Sequence, residues 1–182
     1  MSDLWVFGYG SLMWRPGFSF VEAIPARLHG EHRSLCVLSF VHRGTPENPG
    51  LVLGLDKGGS CRGVAFRIEE ASARDAIAYL RERELVTHVY REVERFVRLE
   101  NDPRGSVRAT AYVVDREHPQ YAGKLEAAAV LERVRHAHGI SGDNRDYVTA
   151  TARHLQSAGI ADPLLDWLAA ELERSPSLSP QP

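Results

Sequence analysis

The strongest constraint on the fold is a run of alternating residues at positions 89–99. Valine and arginine occupy one side of this run and mostly charged or aromatic residues the other: Val89, Arg91, Val93, Arg95, Val97 against Tyr90, Glu92, Glu94, Phe96, Arg98. A period of two is typical of a β-strand with two unlike faces. Residues 101–105 (Asn-Asp-Pro-Arg-Gly) have turn composition, and 107–114 form a second apolar stretch. The sequence therefore predicts a β-hairpin, and with it a sheet.

The rest of the chain adds strands before the hairpin and helices after it. Strands are predicted at 4–9, 23–28, 34–40, 51–55 and 63–68, with turns near Gly30 and at 57–59. Helices are predicted at 73–85, with Ser72 as N-cap, and at 125–137, 144–157 and 163–174. This order predicts an α+β fold, with a mixed or antiparallel sheet that closes toward a small barrel, flanking helices and a helical C-terminal third. We expect one domain over 1–174 and a disordered Ser/Pro-rich tail over 175–182.

Composition limits the class of partner. The chain has 182 residues and a formal net charge of -2, with 22 Lys+Arg against 24 Asp+Glu, so no basic surface for nucleic acid is predicted. No apolar stretch approaches the ~20 residues of a membrane span, and no signal peptide is seen at the start. The two cysteines and eight histidines show no metal-ligand spacing. We expect a cytoplasmic protein with a small-molecule substrate and no metal or cofactor; the sequence predicts no oligomeric state.

A glycine-rich turn follows the first strand. Its residues are Gly8, Tyr9, Gly10, Ser11 and Leu12. Such a turn, followed by a helical turn from Ser11, exposes backbone N–H groups that can bind an anion or a carbonyl oxygen. The spacing is not that of a nucleotide-binding loop. An ordinary strand-to-helix turn is the other interpretation, and spacing alone leaves both open.

A carboxylate lies on the apolar side of the first predicted helix. At ~100° per residue, Ala73, Ile77, Leu80 and Glu84 share one narrow stripe, whereas Glu82 points away from it. Burial and the negative end of the helix dipole both raise the pKa of a carboxyl group at such a place, as a general acid/base near neutral pH requires. Periodicity equally allows a structural carboxylate paired with Arg81 or Arg91.

Two further residues are candidates for substrate binding. Arg43, in the loop 42–50, offers a planar fork that suits a carboxylate, although a solvated loop side chain is the alternative. Tyr147 follows Gly142-Asp143-Asn144 at a predicted helix entry, where N-capping by Asp143 or Asn144 explains much of the pattern.

Together these segments resemble the ChaC-like γ-glutamylcyclotransferases. The matching pieces, in family order over roughly residues 4 to 155, are WVFGYGSLMW at 5–14, HRGTP at 42–46 with Pro49-Gly50, GVAFR at 63–67, Tyr79-Leu80 with Arg83-Glu84, and GISG at 139–142 with Asn144 and Tyr147. One departure follows the glutamate: the family often has a Gly-rich Gly-Tyr segment, whereas this chain has Leu85-Val86-Thr87-His88-Val89-Tyr90.

The resemblance implies both an activity and a site. It implies cleavage of glutathione to 5-oxoproline and Cys-Gly through attack of the γ-glutamyl α-amine on its own γ-amide, with Glu84 as general acid/base. It also implies that Tyr9, Gly10, Ser11 and Leu12 hold the γ-glutamyl group, without a metal or cofactor. Three alternatives stand beside it: a broader γ-glutamyl-amine or amino-acid cyclotransferase, a non-catalytic regulatory binding module, and a cysteine amidase that uses Cys36 with a histidine.

Overall fold

The protein has an α+β fold built on a closed five-stranded barrel. The structure is a computed structural model and describes residues 3–85 and 87–174. The barrel strands are β1 (Leu4–Gly8), β2 (Glu22–Ser39), β3 (Gly50–Ile68), β4 (Tyr90–Leu99) and β5 (Ser106–Val114), in the order β1-β3-β2-β4-β5. Strand β1 is antiparallel to β3 and parallel to β5, so the sheet is mixed. The predicted fold class is confirmed.

The predicted hairpin forms between β4 and β5. The two strands pair antiparallel from Tyr90 opposite Val114 to Arg98 opposite Ser106. Val97 is buried, while Phe96 beside it is 73% exposed. Burial therefore alternates toward the end of β4, where Val97 and Leu99 are buried and Phe96 and Arg98 are exposed, as period-two patterning requires.

Two pairs of predicted strands are in fact single long strands. The segments 23–28 and 34–40 join in β2, and 51–55 and 63–68 join in β3. The residues that suggested turns, Gly30 and Gly58, do adopt positive φ values of 97° and 104°. A glycine in this conformation can bend a strand without ending it, so composition alone overstated the breaks.

Four α-helices, one short 3₁₀ turn and a small β-ribbon complete the described chain. The helices are α1 (Glu70–Glu84), α2 (Ala127–His136), α3 (Asn144–Ser157) and α4 (Pro163–Arg174), the 3₁₀ turn is Ser11–Met13, and the ribbon is β6 (His138–Gly139) with β7 (Gly142–Asp143). Helix α1 begins before the predicted N-cap: Glu69 occupies that position and makes no side-chain cap, and Ser72 lies in the first turn. The prediction for Ser72 is wrong because Glu70 and Ala71 extend the helix.

Among the described residues, the chain groups into two compact units. The first comprises residues 3–34, 53–85 and 87–121, and the second residues 35–52 and 122–174. One core cluster of the first unit contains Val6, Leu12, Ile68, Ala76, Leu80 and Tyr112. That residues 1–174 fold as one domain stays a prediction, and the tail 175–182 lies outside the described residues.

Both cysteines are reduced and lie in the interior. Cys36 has no exposed surface and Cys61 only 2%, and both are free thiols. Within residues 3–85 and 87–174, no helix has the length and apolar character needed to cross a membrane.

Candidate active site

The glycine-rich turn forms the predicted transition from strand to helical turn. Strand β1 ends at Gly8, and the N–H of Met13 donates to the carbonyl of Gly10 at 2.9 Å to close the 3₁₀ turn. Tyr9 and Leu12 are buried, and Leu12 packs in the core cluster. The apolar side chains therefore anchor the turn, and the N–H groups of Ser11 and Leu12 precede the first hydrogen bond of the 3₁₀ turn.

Space around Gly10 is limited. Its backbone angles are φ -133° and ψ -129°. A Cβ added there would meet the Leu53 Cδ1 at 3.3 Å. The turn thus passes close to the Leu53 side chain, and a bulkier residue at position 10 has to displace it.

Glu84 is the last residue of α1, and its side chain is largely removed from solvent. The side chain is 18% exposed, on the side of the helix that buries Ala76 and Leu80, while Glu82 is exposed. The helical-face prediction is confirmed. Burial raises the pKa of Glu84 above its ordinary value of 4.5, and the nearby charge of Arg83 acts in the opposite direction.

Arg81 does not pair with Glu84 as the structural alternative required. Its guanidinium forms a two-pronged bond to Glu92, at 2.9 Å and 2.7 Å. The cation beside Glu84 is Arg83 instead, with 3.5 Å between Arg83 Nε and Glu84 Oε1. At that distance the two charges attract, but the contact is longer than a strong charge-assisted hydrogen bond.

Arg83 joins the glycine-rich turn to α1. Its Nη2 donates to the Ser11 Oγ at 2.7 Å, and its Nη1 donates to the carbonyl of Arg15 at 2.7 Å and to the hydroxyl of Tyr79 at 3.1 Å. The sequence motifs predicted no separate role for Arg83. The available signal was its spacing of four residues from Tyr79, which puts both side chains on one helix face.

A second arginine holds the other side of the same turn. Arg33 Nε donates to the carbonyl of Tyr9 at 2.6 Å, and its Nη2 donates to the carbonyl of Arg62 at 2.6 Å. Two guanidinium groups therefore hold the segment 9–15. No sequence signal pointed to Arg33, because its contact with Tyr9 spans 24 positions.

Tyr112 contributes a buried hydroxyl near the carboxylates. It is 1% exposed and donates to Glu92 Oε2 at 3.1 Å. Burial raises the pKa of Tyr112 far above its ordinary value, and the negative charges of Glu92 and Glu84 act in the same direction. Tyr112 therefore keeps its proton, and it remains a hydrogen-bond donor.

The second unit brings Arg43 and Tyr147 together. The guanidinium of Arg43 lies over the Tyr147 ring, 5.6 Å from its centroid, and its Nη1 donates to the carbonyl of Asp143 at 3.2 Å. The backbone N–H of Arg43 donates to the Ser39 Oγ at 2.9 Å. Arg43 is thus a half-buried, fixed side chain, and the solvated-loop alternative is not supported.

Asn144 does not act as the N-cap. Asp143 holds that position without a side-chain cap bond, and its carboxylate binds His138 at 2.6 Å. Asn144 is fully buried, and its amide bonds the backbone of Leu51.

The described residues hold no cluster of three or more His, Cys, Asp or Glu suited to a metal ion. The cysteine-amidase alternative is also weakened, because the Cys36 thiol has no exposed surface at which to meet a substrate.

Comparison with known proteins identifies the family. The chain matches the model of the ChaC-like protein family over residues 4–175. It is 32% identical over 171 residues to the glutathione-specific gamma-glutamylcyclotransferase of Escherichia coli (strain K12), covering 94% of this chain and 73% of that protein. It is 32% identical over 158 residues to glutathione-specific gamma-glutamylcyclotransferase 1 of Homo sapiens, covering 86% and 71%.

The fold agrees with this. The crystal structure of a γ-glutamyl cyclotransferase specific to glutathione from yeast superposes with a TM-score of 0.83 at 23% identity, over 96% of this chain and 97% of that one. The resemblance noted from the motifs is therefore confirmed over nearly the whole chain: this protein belongs to the ChaC-like family.

Proposed function

We propose that this protein is a cytoplasmic γ-glutamylcyclotransferase that converts glutathione to 5-oxoproline and Cys-Gly. Its relatives from E. coli and human carry this activity and this substrate in their names. Within the chain, one observation carries the proposal. Glu84 is a largely buried carboxyl whose pKa is raised by burial, and Arg83 connects its helix to the glycine-rich turn.

The proposed reaction is an intramolecular exchange of one C–N bond for another. The α-amine nitrogen of the γ-glutamyl group bonds to the γ-carbonyl carbon, and the bond from that carbon to the cysteinyl nitrogen breaks. Glu84 takes a proton from the attacking nitrogen and gives one to the departing nitrogen, so it ends in its starting state. No metal or cofactor enters, because nucleophile and electrophile belong to one molecule that must be folded into a reactive conformer.

The remaining site residues have proposed binding roles. Tyr9, Gly10, Ser11 and Leu12 hold the γ-glutamyl group, with backbone N–H groups facing its carboxylate or the developing oxyanion. This role is supported by the two cationic side chains, Arg33 and Arg83, that bond the turn. Arg43 and Tyr147 are proposed substrate-binding residues as well, since a fixed guanidinium suits a substrate carboxylate.

The test is a product assay on the purified protein. Glutathione is supplied, and 5-oxoproline and Cys-Gly are measured by mass spectrometry in equal amounts over time. No release, with intact fold by circular dichroism, would favour the non-catalytic binding module instead. Inactivation by a thiol reagent under native conditions would revive the amidase alternative.

A broader γ-glutamyl-amine or amino-acid cyclotransferase is the second candidate function. The observation that favours it is the segment after Glu84, where Leu85-Val86-Thr87-His88-Val89-Tyr90 stands in place of the Gly-rich Gly-Tyr segment often seen in the family. Comparing kcat/KM for glutathione and γ-glutamyl-alanine separates the two. Faster turnover of γ-glutamyl-alanine would assign the broader activity.

A further inference from the structure

The guanidinium of Arg83 contacts several polar groups at the candidate site. Its guanidinium reaches Ser11 Oγ and the Arg15 carbonyl, each at 2.7 Å, while its Nε faces Glu84 Oε1 at 3.5 Å. One planar cation thus contacts Ser11 at the start of the 3₁₀ turn, Arg15 two residues after its end, and the candidate catalytic carboxyl. A guanidinium can serve several acceptors because its donors are fixed in one plane.

The contact with Ser11 sets the direction of a hydroxyl. Because Ser11 Oγ accepts the Arg83 N–H, a lone pair of that oxygen faces the guanidinium. The O–H of Ser11 must then point elsewhere, and it keeps its capacity to donate. Arg83 therefore fixes Ser11 as a hydrogen-bond donor.

The contact of Arg83 with Glu84 affects the pKa of that carboxyl group. The ionisable groups facing Glu84 come from two elements: Arg83 from α1, and Tyr112 from β5, whose hydroxyl is bonded to Glu92 of β4. Tyr112 stays protonated and Glu92 is held by Arg81. Arg83 is thus a positive charge beside Glu84 that acts against the effect of burial on the Glu84 pKa.

Tyr79, one helical turn before Arg83, also holds the guanidinium in place. The Tyr79 hydroxyl accepts from Arg83 at 3.1 Å. A Cβ built on Gly17 would lie 2.0 Å from the same hydroxyl. The backbone at Gly17 therefore closes on Tyr79, and this limits where the guanidinium can move.

From these contacts we propose that Arg83 is a positioning residue that couples the glycine-rich turn to Glu84. It orients the Ser11 hydroxyl, holds the segment 11–15 against α1, and places a positive charge 3.5 Å from the Glu84 carboxylate. This inference rests on the proposed function, because it assigns Arg83 a part in the same site.

The experiment compares three arginine variants. Arg83→Met removes both the positive charge and the planar guanidinium, whereas Arg83→Lys keeps the charge and removes only the guanidinium. Arg74→Met is the control, because it replaces an arginine with methionine at an exposed position of α1. For each, kcat and KM for glutathione are measured across pH, with circular dichroism as the check on fold.

Each variant has a distinct expected result. Arg83→Met should lose about 10- to 100-fold in kcat/KM, and the acidic limb of its pH profile should move up by about one unit, since an opposite charge has been removed. Arg83→Lys should lose activity with the acidic limb unmoved, because the lysine keeps the charge but lacks the fixed planar fork with which Arg83 bonds Ser11 and Arg15. Arg74→Met should behave as the wild type.

A readout without catalysis separates this inference from the function. NMR titration of the Glu84 carboxyl carbon, assigned by comparison with Glu84→Gln, should show its pKa rising in Arg83→Met. An unmoved pKa overturns the coupling, even where Glu84→Gln is inactive. An active Glu84→Gln overturns the assigned base, even where the titration moves. If Arg83→Met does not fold, Arg83→Lys decides: wild-type kinetics would refute the positioning role.

Discussion

Asn144 bonds both backbone groups of Leu51. Its Oδ1 accepts the Leu51 N–H at 2.8 Å, and its Nδ2 donates to the Leu51 carbonyl at 2.8 Å. The side chain of Asn144, the first residue of α3, thus makes the pair of hydrogen bonds to β3 that the backbone of a neighbouring strand would make. Because Asn144 has no exposed surface, water cannot replace either bond.

Asn144→Asp should destabilise the fold strongly. The new oxygen would face the Leu51 carbonyl in place of the Nδ2 donor, and a charge would be buried without a partner. We expect a loss of about 3 kcal/mol in the free energy of unfolding, measured by urea titration. Asp143→Asn, one residue earlier and half-exposed, should cost less than about 1 kcal/mol. Equal effects would show that the Leu51 contact contributes little.

Glu84→Gln should abolish most turnover while the fold survives. The amide keeps nearly the same volume but cannot accept a proton and return it, so we expect a fall of about 10²–10⁴-fold in kcat with little change in KM. Glu82→Gln, on the exposed side of α1, is the matched control and should be near wild type. Retention of more than about a tenth of the activity by Glu84→Gln would contradict the assignment.

The same substitution should reveal what burial of Glu84 costs the native state. Burial raises the pKa of Glu84 in the folded protein, so the native state binds its proton more tightly than the unfolded chain. The stability associated with the proton is present at low pH and is lost as pH rises through the folded pKa. Glu84→Gln should therefore be more stable than wild type at about pH 7.5, with the difference vanishing below about pH 4. Urea titrations across pH measure it, and a constant difference would disprove it.

Gly10 and Gly63 should respond differently to an added methyl group. At Gly10 the new Cβ meets a flexible end of Leu53 at 3.3 Å, whereas at Gly63 it meets the carbonyl oxygen of Gly8 at 2.2 Å. Gly10→Ala should fold with a Tm near wild type but show a higher KM. Gly63→Ala forces β1 and β3 apart and should lose about 2–4 kcal/mol of stability. Thermal unfolding and kinetics on both variants give the comparison.

Local patterns in the sequence predicted the helices and strands better than the boundaries between them. Helices α3 and α4 have the predicted bounds, because Asn144 and Pro163 follow clear entry signals. Strands β2 and β3 were each wrongly predicted as two strands. The reason is that Gly30 and Gly58 adopt turn-like φ values inside continuous strands. Composition cannot distinguish a bend from a break.

The candidate site shows the same limit. The 3.6-residue period predicted the buried face that carries Glu84. The arginines that bond the glycine-rich turn were missed, because Arg83 and Ser11 are 72 positions apart. Nothing in local sequence encodes such a contact, so it emerges only once the barrel is closed.

In the segment after Glu84, His88 adopts a backbone conformation that favours glycine. His88 has a φ of 57°, a left-handed conformation that His adopts more readily than β-branched residues but less easily than Gly. His88→Gly should raise the free energy of unfolding by about 0.5–1 kcal/mol. His88→Val should lower it by about 1 kcal/mol or more. Chemical denaturation of both variants tests this, and a destabilised His88→Gly would point to a contact of the imidazole.

The burial of both cysteines has a consequence for an enzyme whose proposed substrate, glutathione, is itself a thiol. Neither Cys36 nor Cys61 presents its sulfur to solvent, so oxidants and mixed disulfides that accumulate when glutathione becomes scarce have little access to them. The proposed base is a carboxyl, which such oxidants leave intact. Turnover would then not depend on the oxidation state of either thiol.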